Sequence, residues 1–168
     1  IGDLAEISAT PSDFGRIAAQ TAKQVVVQHI REAERGVIYE EYIEKENEIL
    51  TAIVQRVDGR QVYVELGRTE GLLEPNQQMP GETYAPGDRL KVYVLEVSRM
   101  ARGPQVLVSR THPGLVKRLF EIEVPEIRSG IVQIRSIARE AGYRTKMAVT
   151  AVDAMIDAVG SCVGPRGM

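Results

Sequence analysis

The sequence predicts an α+β multidomain chain in which a long connecting helix leads into a small five-stranded antiparallel β-barrel, followed by a shorter α/β segment. Three observations predict it. Apolar residues recur at three- and four-residue steps up to about Lys45. The pattern changes to period two between Ile49 and Arg110. Helical and extended stretches then alternate from Gly114 onward.

Residues 3–9 alternate weakly and read as a short strand. Thr10-Pro11-Ser12-Asp13 is a helix start. Thr10 caps, Pro11 suits the first helical position because its missing N–H has no partner there, and Asp13 suits the positive end of the helix dipole. Phe14, Ile17, Ala18, Thr21, Ala22, Val25, Val26, His29 and Ala33 then form one apolar stripe. Unbroken to Lys45, this helix is roughly 50 Å long at 1.5 Å per residue, with Gly36 as its weak point. Glu40, Glu41, Glu44, Glu46 and Glu48 form an acidic run that reads as a solvated face. A repulsive or docking surface for a basic partner is the sharper alternative.

Ile49–Val57, Gln61–Gly67, Gly71–Leu73, Arg89–Ser98 and Gln105–Arg110 read as five strands. Asp58-Gly59 signals a hairpin turn, and Arg102-Gly103-Pro104 closes the last hairpin. Pro75, Pro80-Gly81 and Pro86-Gly87 punctuate one long connection between the third and fourth strands. Five short strands with one long connection outline an OB-type barrel. Beyond Thr111-His112-Pro113, residues 114–120 read as helix, and Pro125 interrupts a Val/Ile stretch. Residues 131–138 and 145–152 read as strands. A helix over 156–163 leads into Gly164-Pro165-Arg166-Gly167.

Composition narrows the function classes. With 43% hydrophobic and 26% charged residues in 168, the chain is globular rather than disordered. Trp is absent and aromatics are 5%, which argues against sugar-stacking platforms. The net charge of −2 is unevenly spread. Residues 1–48 hold ten acids against five bases, residues 49–112 eight bases against seven acids, and residues 113–168 eight bases against six acids. Such asymmetry permits a basic nucleic-acid face on an acidic protein.

The single cysteine, Cys162, allows no internal disulfide, fits a reducing compartment, and reads as a structural thiol. His29, on the helix stripe, reads as packed or interfacial, and His112, before Pro113, as a cap or turn residue. No metal spacing, catalytic motif or membrane-length apolar run is present, so no cofactor, metal, catalytic residue or membrane partner is expected. The chain begins at Ile1 without a signal-peptide pattern and stops after a glycine-rich turn, which reads as a piece of a longer protein.

Within the barrel, Ala52-x-Val54, Val62-Tyr63-Val64-Glu65-Leu66-Gly67, Glu70-Gly71-Leu72-Leu73 and Val106-Leu107-Val108-Ser109-Arg110 resemble the S1 RNA-binding domain in order and spacing. The C-terminal stretch resembles the start of a KH domain, truncated after its GxxG loop. Residues 13–24, Gln78-Met79-Pro80-Gly81-Glu82, residues 108–113 and Ala138-Arg139-Glu140-Ala141-Gly142 extend the likeness over nearly the whole chain, which resembles the NusA family of bacterial transcription elongation and termination factors.

The resemblance implies three parts. Residues 1–48 are the end of a polymerase-binding N-terminal domain with its connector helix. Residues 49–112 are S1, and residues 113–168 are the front of a first KH domain. It also implies a cytoplasmic protein that contacts single-stranded nascent RNA, RNA polymerase and other elongation factors, and that modulates pausing, termination and antitermination.

On an S1 face, Tyr63 is the expected stacking ring, with Val62 and Val64 on the opposite, barrel-filling side; cross-strand packing is its blander reading. Arg56, Arg60, Arg68 and Arg110 are the candidate phosphate or stacking cations, each also readable as an ordinary surface charge. Arg60 stands where many S1 domains carry an aromatic, and Glu74 where many carry a histidine. Weak, salt-sensitive affinity is therefore expected. In the second candidate site, Gly164 and Gly167 let the backbone approach phosphates around Pro165, and Arg166 adds charge, with the adjoining helix ends helping to hold the anion; a plain turn is the alternative. The rival function is a protein-docking scaffold with little RNA binding. An exoribonuclease tail also combines S1 and KH, but here S1 precedes KH.

Overall fold

A computed structural model of the chain describes residues 12–167. The strand read over residues 3–9, the Thr10–Pro11 helix start and the Asp13 side chain lie outside the described residues. Helix α1 (Ser12–Ile43) continues through Gly36 without a break. Its apolar stripe stays uncovered, with Phe14, Ile17, Val25, Val26 and Ile30 all exposed. His29 also stands in solvent, 4.0 Å from Glu32, so the packed role expected for it is corrected. Ile38, Tyr39, Tyr42 and Ile43 of α1 pack against the barrel core, and Arg35 one turn earlier donates to the Ala101 carbonyl at 2.9 Å. Tyr42 is 1% exposed. Its hydroxyl donates to the Leu66 carbonyl at 2.7 Å and accepts the Arg68 amide at 3.1 Å, so a large ring is buried with its polar tip satisfied.

Five strands follow: β1 (Ile49–Asp58), β2 (Gln61–Glu65), β3 (Glu70–Leu73), β4 (Arg89–Met100) and β5 (Gly103–Ser109). Their ladders close in the order β1-β2-β3-β5-β4. Four seams are antiparallel, but β3 and β5 run parallel, which corrects the all-antiparallel expectation. A parallel seam needs a long crossover, and the punctuated connection through Pro75, Pro80 and Pro86 together with β4 supplies it. Closure leaves no unpaired edge. The core is small and β-branched: Val54, Val62, Val64, Val92, Val94, Val106 and Val108 with Ala52 and Leu73. Gly71 sits inside this core, where a Cβ would lie 2.8 Å from Leu66.

Two of these strands carry a bulge, between Val54 and Arg56 in β1 and between Val94 and Glu96 in β4. The extra residue shifts the alternation, so a side chain two positions beyond an inward one turns outward.

The C-terminal part holds α2 (Pro113–Glu123), α3 (Pro125–Arg128), β6 (Val132–Glu140), β7 (Arg144–Ala151) and α4 (Ala158–Val163). His112 Nδ1 accepts the Gly114 amide at 3.0 Å, capping α2 as its position before Pro113 suggested. Pro125 starts α3 rather than merely breaking a stretch, because its fixed φ and absent N–H suit a first turn. The antiparallel pair β6–β7 and these helices enclose a small cluster of Val124, Ile127 and Val132, with Phe120, Ile134, Val149 and Cys162 packed against it. Burial pushes the Cys162 thiol up, and beside Glu126 it stays a protonated packing residue.

This part is fastened to the barrel at three points. Arg118 donates to the Asn47 carbonyl at 2.9 Å and pairs with Glu48 at 3.0 Å. The His112 ring stacks on Tyr93 with centroids 4.5 Å apart. Arg139 of β6 donates to the His112 carbonyl at 3.0 Å, and at the hairpin tip a Cβ on Gly142 would meet the Pro80 carbonyl at 2.9 Å. The acidic run is therefore more than a solvated face: Glu41 pairs with Lys45 and Arg68, Glu46 accepts the Val97 amide at 2.8 Å, and Glu48 holds Arg118.

Candidate nucleic-acid interface

The outer surface of β2 and β3 carries Tyr63, half-buried, while Val62 and Val64 point into the barrel as the alternation requires. The Tyr63 hydroxyl donates to Gln61 Oε1 at 3.0 Å. Arg56 faces Tyr63 across the β1–β2 ladder. In strict alternation with Ala52 and Val54 it would point inward; the bulge at Gln55 turns it out, and its guanidinium lies 3.8 Å over the Tyr63 ring. Glu70 of β3 grips the same guanidinium with both oxygens, at 2.5 and 3.1 Å, and so holds Arg56 firmly in its charged form.

Tyr63 also lines a groove of about 460 Å³ between β2–β3 and the β4–β5 hairpin, together with Arg68, Leu72, Met100, Arg102 and Gln105. Arg102 and Gln105 escaped the sequence reading because they belong to a hairpin that comes beside Tyr63 only on barrel closure. Arg68 reaches back to Glu41 of α1 at 3.0 Å. Lys45, hydrogen-bonded to the same carboxylate, and then Arg68 hold Glu41 below the usual carboxylate range.

The other candidate cations separate. Arg60 lies exposed in the β1–β2 turn, where its carbonyl accepts Gln78 Nε2 at 2.7 Å. Arg110 is not a free surface cation. It pairs through two nitrogens with Glu82 and donates to the Lys91 carbonyl at 2.6 Å, so it pins the β3–β4 connection to the barrel. A phosphate would have to displace these partners to reach Arg110, since every nitrogen of its fork is already committed. The Arg110 bond holds the Glu82 carboxyl below its usual range.

In the C-terminal loop, Gly164 and Gly167 both take positive φ, 72° and 73°, and Arg166 between them is exposed with φ 62°. The Gly164 amide donates to the Gly160 carbonyl at 3.0 Å, ending α4. Among the described residues, the helix end beside this loop is the C-terminus of α4, which carries partial negative charge. Among the described residues no group of three or more His, Cys, Asp or Glu is placed to hold a metal, and no helix is long and apolar enough to cross a membrane.

The closed barrel bearing an outward Arg–Tyr stack, followed by a helix ending in a GxxG loop, defines the class: a chain of S1 and KH nucleic-acid-binding domains. Family models match in the same order, the S1 RNA binding domain over residues 44–109 and the NusA-like first KH domain over residues 110–168, preceded by the NusA N-terminal domain over residues 1–36. The chain belongs to the NusA family. It is 62% identical over 99% of its length to the transcription termination/antitermination protein NusA of Bacillus subtilis, covering 45% of that protein. It is 57% identical over 99% of its length to that of Halalkalibacterium halodurans, covering 44%. With NusA of Thermus thermophilus it shares 46% identity over 99% of its length, covering 43%. The chain thus spans less than half the length of these relatives.

Proposed function

We propose that this chain is the RNA-contacting portion of a cytoplasmic, non-catalytic transcription factor that associates with RNA polymerase and nascent RNA to modulate pausing, termination and antitermination. Residues 1–48 serve as the end of the polymerase-binding domain and connector, 49–112 as the OB-type S1 domain, and 113–168 as the front of the KH domain. The relatives named for transcription termination and antitermination support this reading. The observation that carries it is the outward Tyr63 ring, stacked by Arg56 and opening onto a groove with Arg68 and Arg102. A ring of this kind stacks on any base, and the arginines follow the phosphates.

The test is anisotropy with single-stranded RNA across a salt series. Binding is expected to be weak and to fade with salt. Tyr63→Ala should weaken it about tenfold, consistent with ~1–3 kcal/mol per stacked base, and Arg166→Glu should weaken it further. A second reading, a protein-docking scaffold, is favoured by the uncovered stripe of Phe14, Ile17, Val25 and Ile30 on α1. It predicts negligible RNA binding by wild type, with Tyr63→Ala indistinguishable from it.

A further inference from the structure

We propose that Glu70 and Glu41 set the RNA affinity of the barrel by occupying the arginines that phosphates would use. This rests on the RNA reading above and deepens it. Three of the arginine–carboxylate pairs among the described residues, those made by Arg56, Arg68 and Arg110 of the barrel, differ in kind. Arg110–Glu82 is closed: the side chains are 16% and 24% exposed, and a carbonyl takes the remaining nitrogen. Arg56–Glu70 and Arg68–Glu41 are open, at 53% and 39% and at 59% and 34% exposed, and both arginines border the Tyr63 ring or its groove.

The two oxygens of Glu70 take the Nη1 and Nη2 donors of Arg56, where two phosphate oxygens would seat. Water screens pairs this exposed, which makes them weak enough for a nucleic acid to displace. Each phosphate contact then replaces a carboxylate instead of adding to a bare cation, and net attraction is small. Glu41 brings a second consequence. It sits on α1 and is shared with Lys45, so the groove cation Arg68 answers to the connector helix.

The test uses the 168-residue chain with a fluorescent twelve-residue oligouridylate at low salt. Glu70→Gln and Glu41→Gln should each tighten binding three- to tenfold, and the double variant should combine both gains. The log-log salt slope should steepen by roughly 0.7 for each arginine set free. Glu70→Asp, which keeps the charge, should stay within twofold of wild type. Glu65→Gln removes the same charge from β2, beside the face, but its carboxylate holds Gln55 rather than an arginine, so it should also stay within twofold.

If Glu65→Gln tightens binding as much as Glu70→Gln, general repulsion explains the effect and the proposal falls. If Glu70→Gln is unchanged or weaker while Tyr63→Ala still loses binding, the proposal falls and the RNA reading stands. If neither wild type nor Glu70→Gln binds, both fall.

Discussion

The barrel and the C-terminal segment bury their hydrophobic residues in different ways. In the barrel the five ladders close on themselves and seven valines fall below about one per cent exposure. In the C-terminal segment two strands and short helices bury Leu115, Val124, Ile127 and Val132, while Val152, Val159 and Val163 stay in solvent and Met155 is 91% exposed. Closure removes edges and lets a small β-branched core exclude water, whereas the β6–β7 pair is covered only by short helices. The Arg56–Tyr63 stack thus stands on the closed barrel, and the GxxG loop follows the more exposed segment.

The contrast can be broken most forcefully at Tyr42. If α1 locks the barrel rather than merely joining it, Tyr42→Ala should cost about 4 kcal/mol in urea unfolding, through the lost ring and its two hydrogen bonds. A loss below about 1 kcal/mol would make α1 only a tether. A matched pair sharpens the comparison next. Val94→Ala should cost about 2 kcal/mol, as expected for a filled core, and Val149→Ala on β7 distinctly less, since its surroundings are half open.

Two further variants read the same difference through pH. Glu82 is held below its unfolded pKa, so its pair with Arg110 stabilises the barrel above the unfolded value and that contribution disappears as pH falls through the lower, folded value. Glu82→Gln should therefore cost about 2 kcal/mol near neutrality, and the gap from wild type should close in acid. His112 is pushed down by burial and then by Arg139, and its Nδ1 must be unprotonated to accept the Gly114 amide. The cap is intact above the ordinary histidine pKa near 6.5 and fails as pH drops through the depressed value. His112→Ala should cost about 1 kcal/mol at pH 8 and remove that early acid-sensitive step, as followed by circular dichroism.

Much of the architecture is legible from apolar spacing alone, bulges included. Val54 to Val57, Val94 to Val97 and Ile134 to Ile137 are each three residues apart inside a period-two strand, and each gap coincides with a register shift. Tyr42 was not legible in the same way, because the surrounding glutamates mask a buried ring in a segment that looks solvated. The pairings of Arg110 with Glu82, 28 residues away, and of Arg68 with Glu41, 27 residues away, follow from three-dimensional approach and leave no local pattern. Sequence therefore offers candidate cations but not which ones the fold has already occupied.

The most direct measurement is an amide chemical-shift map of the 15N-labelled chain titrated with single-stranded RNA. Shifts concentrated in residues 61–65, 70–72 and 102–105, saturating together and shrinking with added salt, are the predicted result. Shifts confined to α1, or none on the outer side of β2 and β3 at low salt, would contradict the assignment of the Tyr63 face as the place where RNA is held.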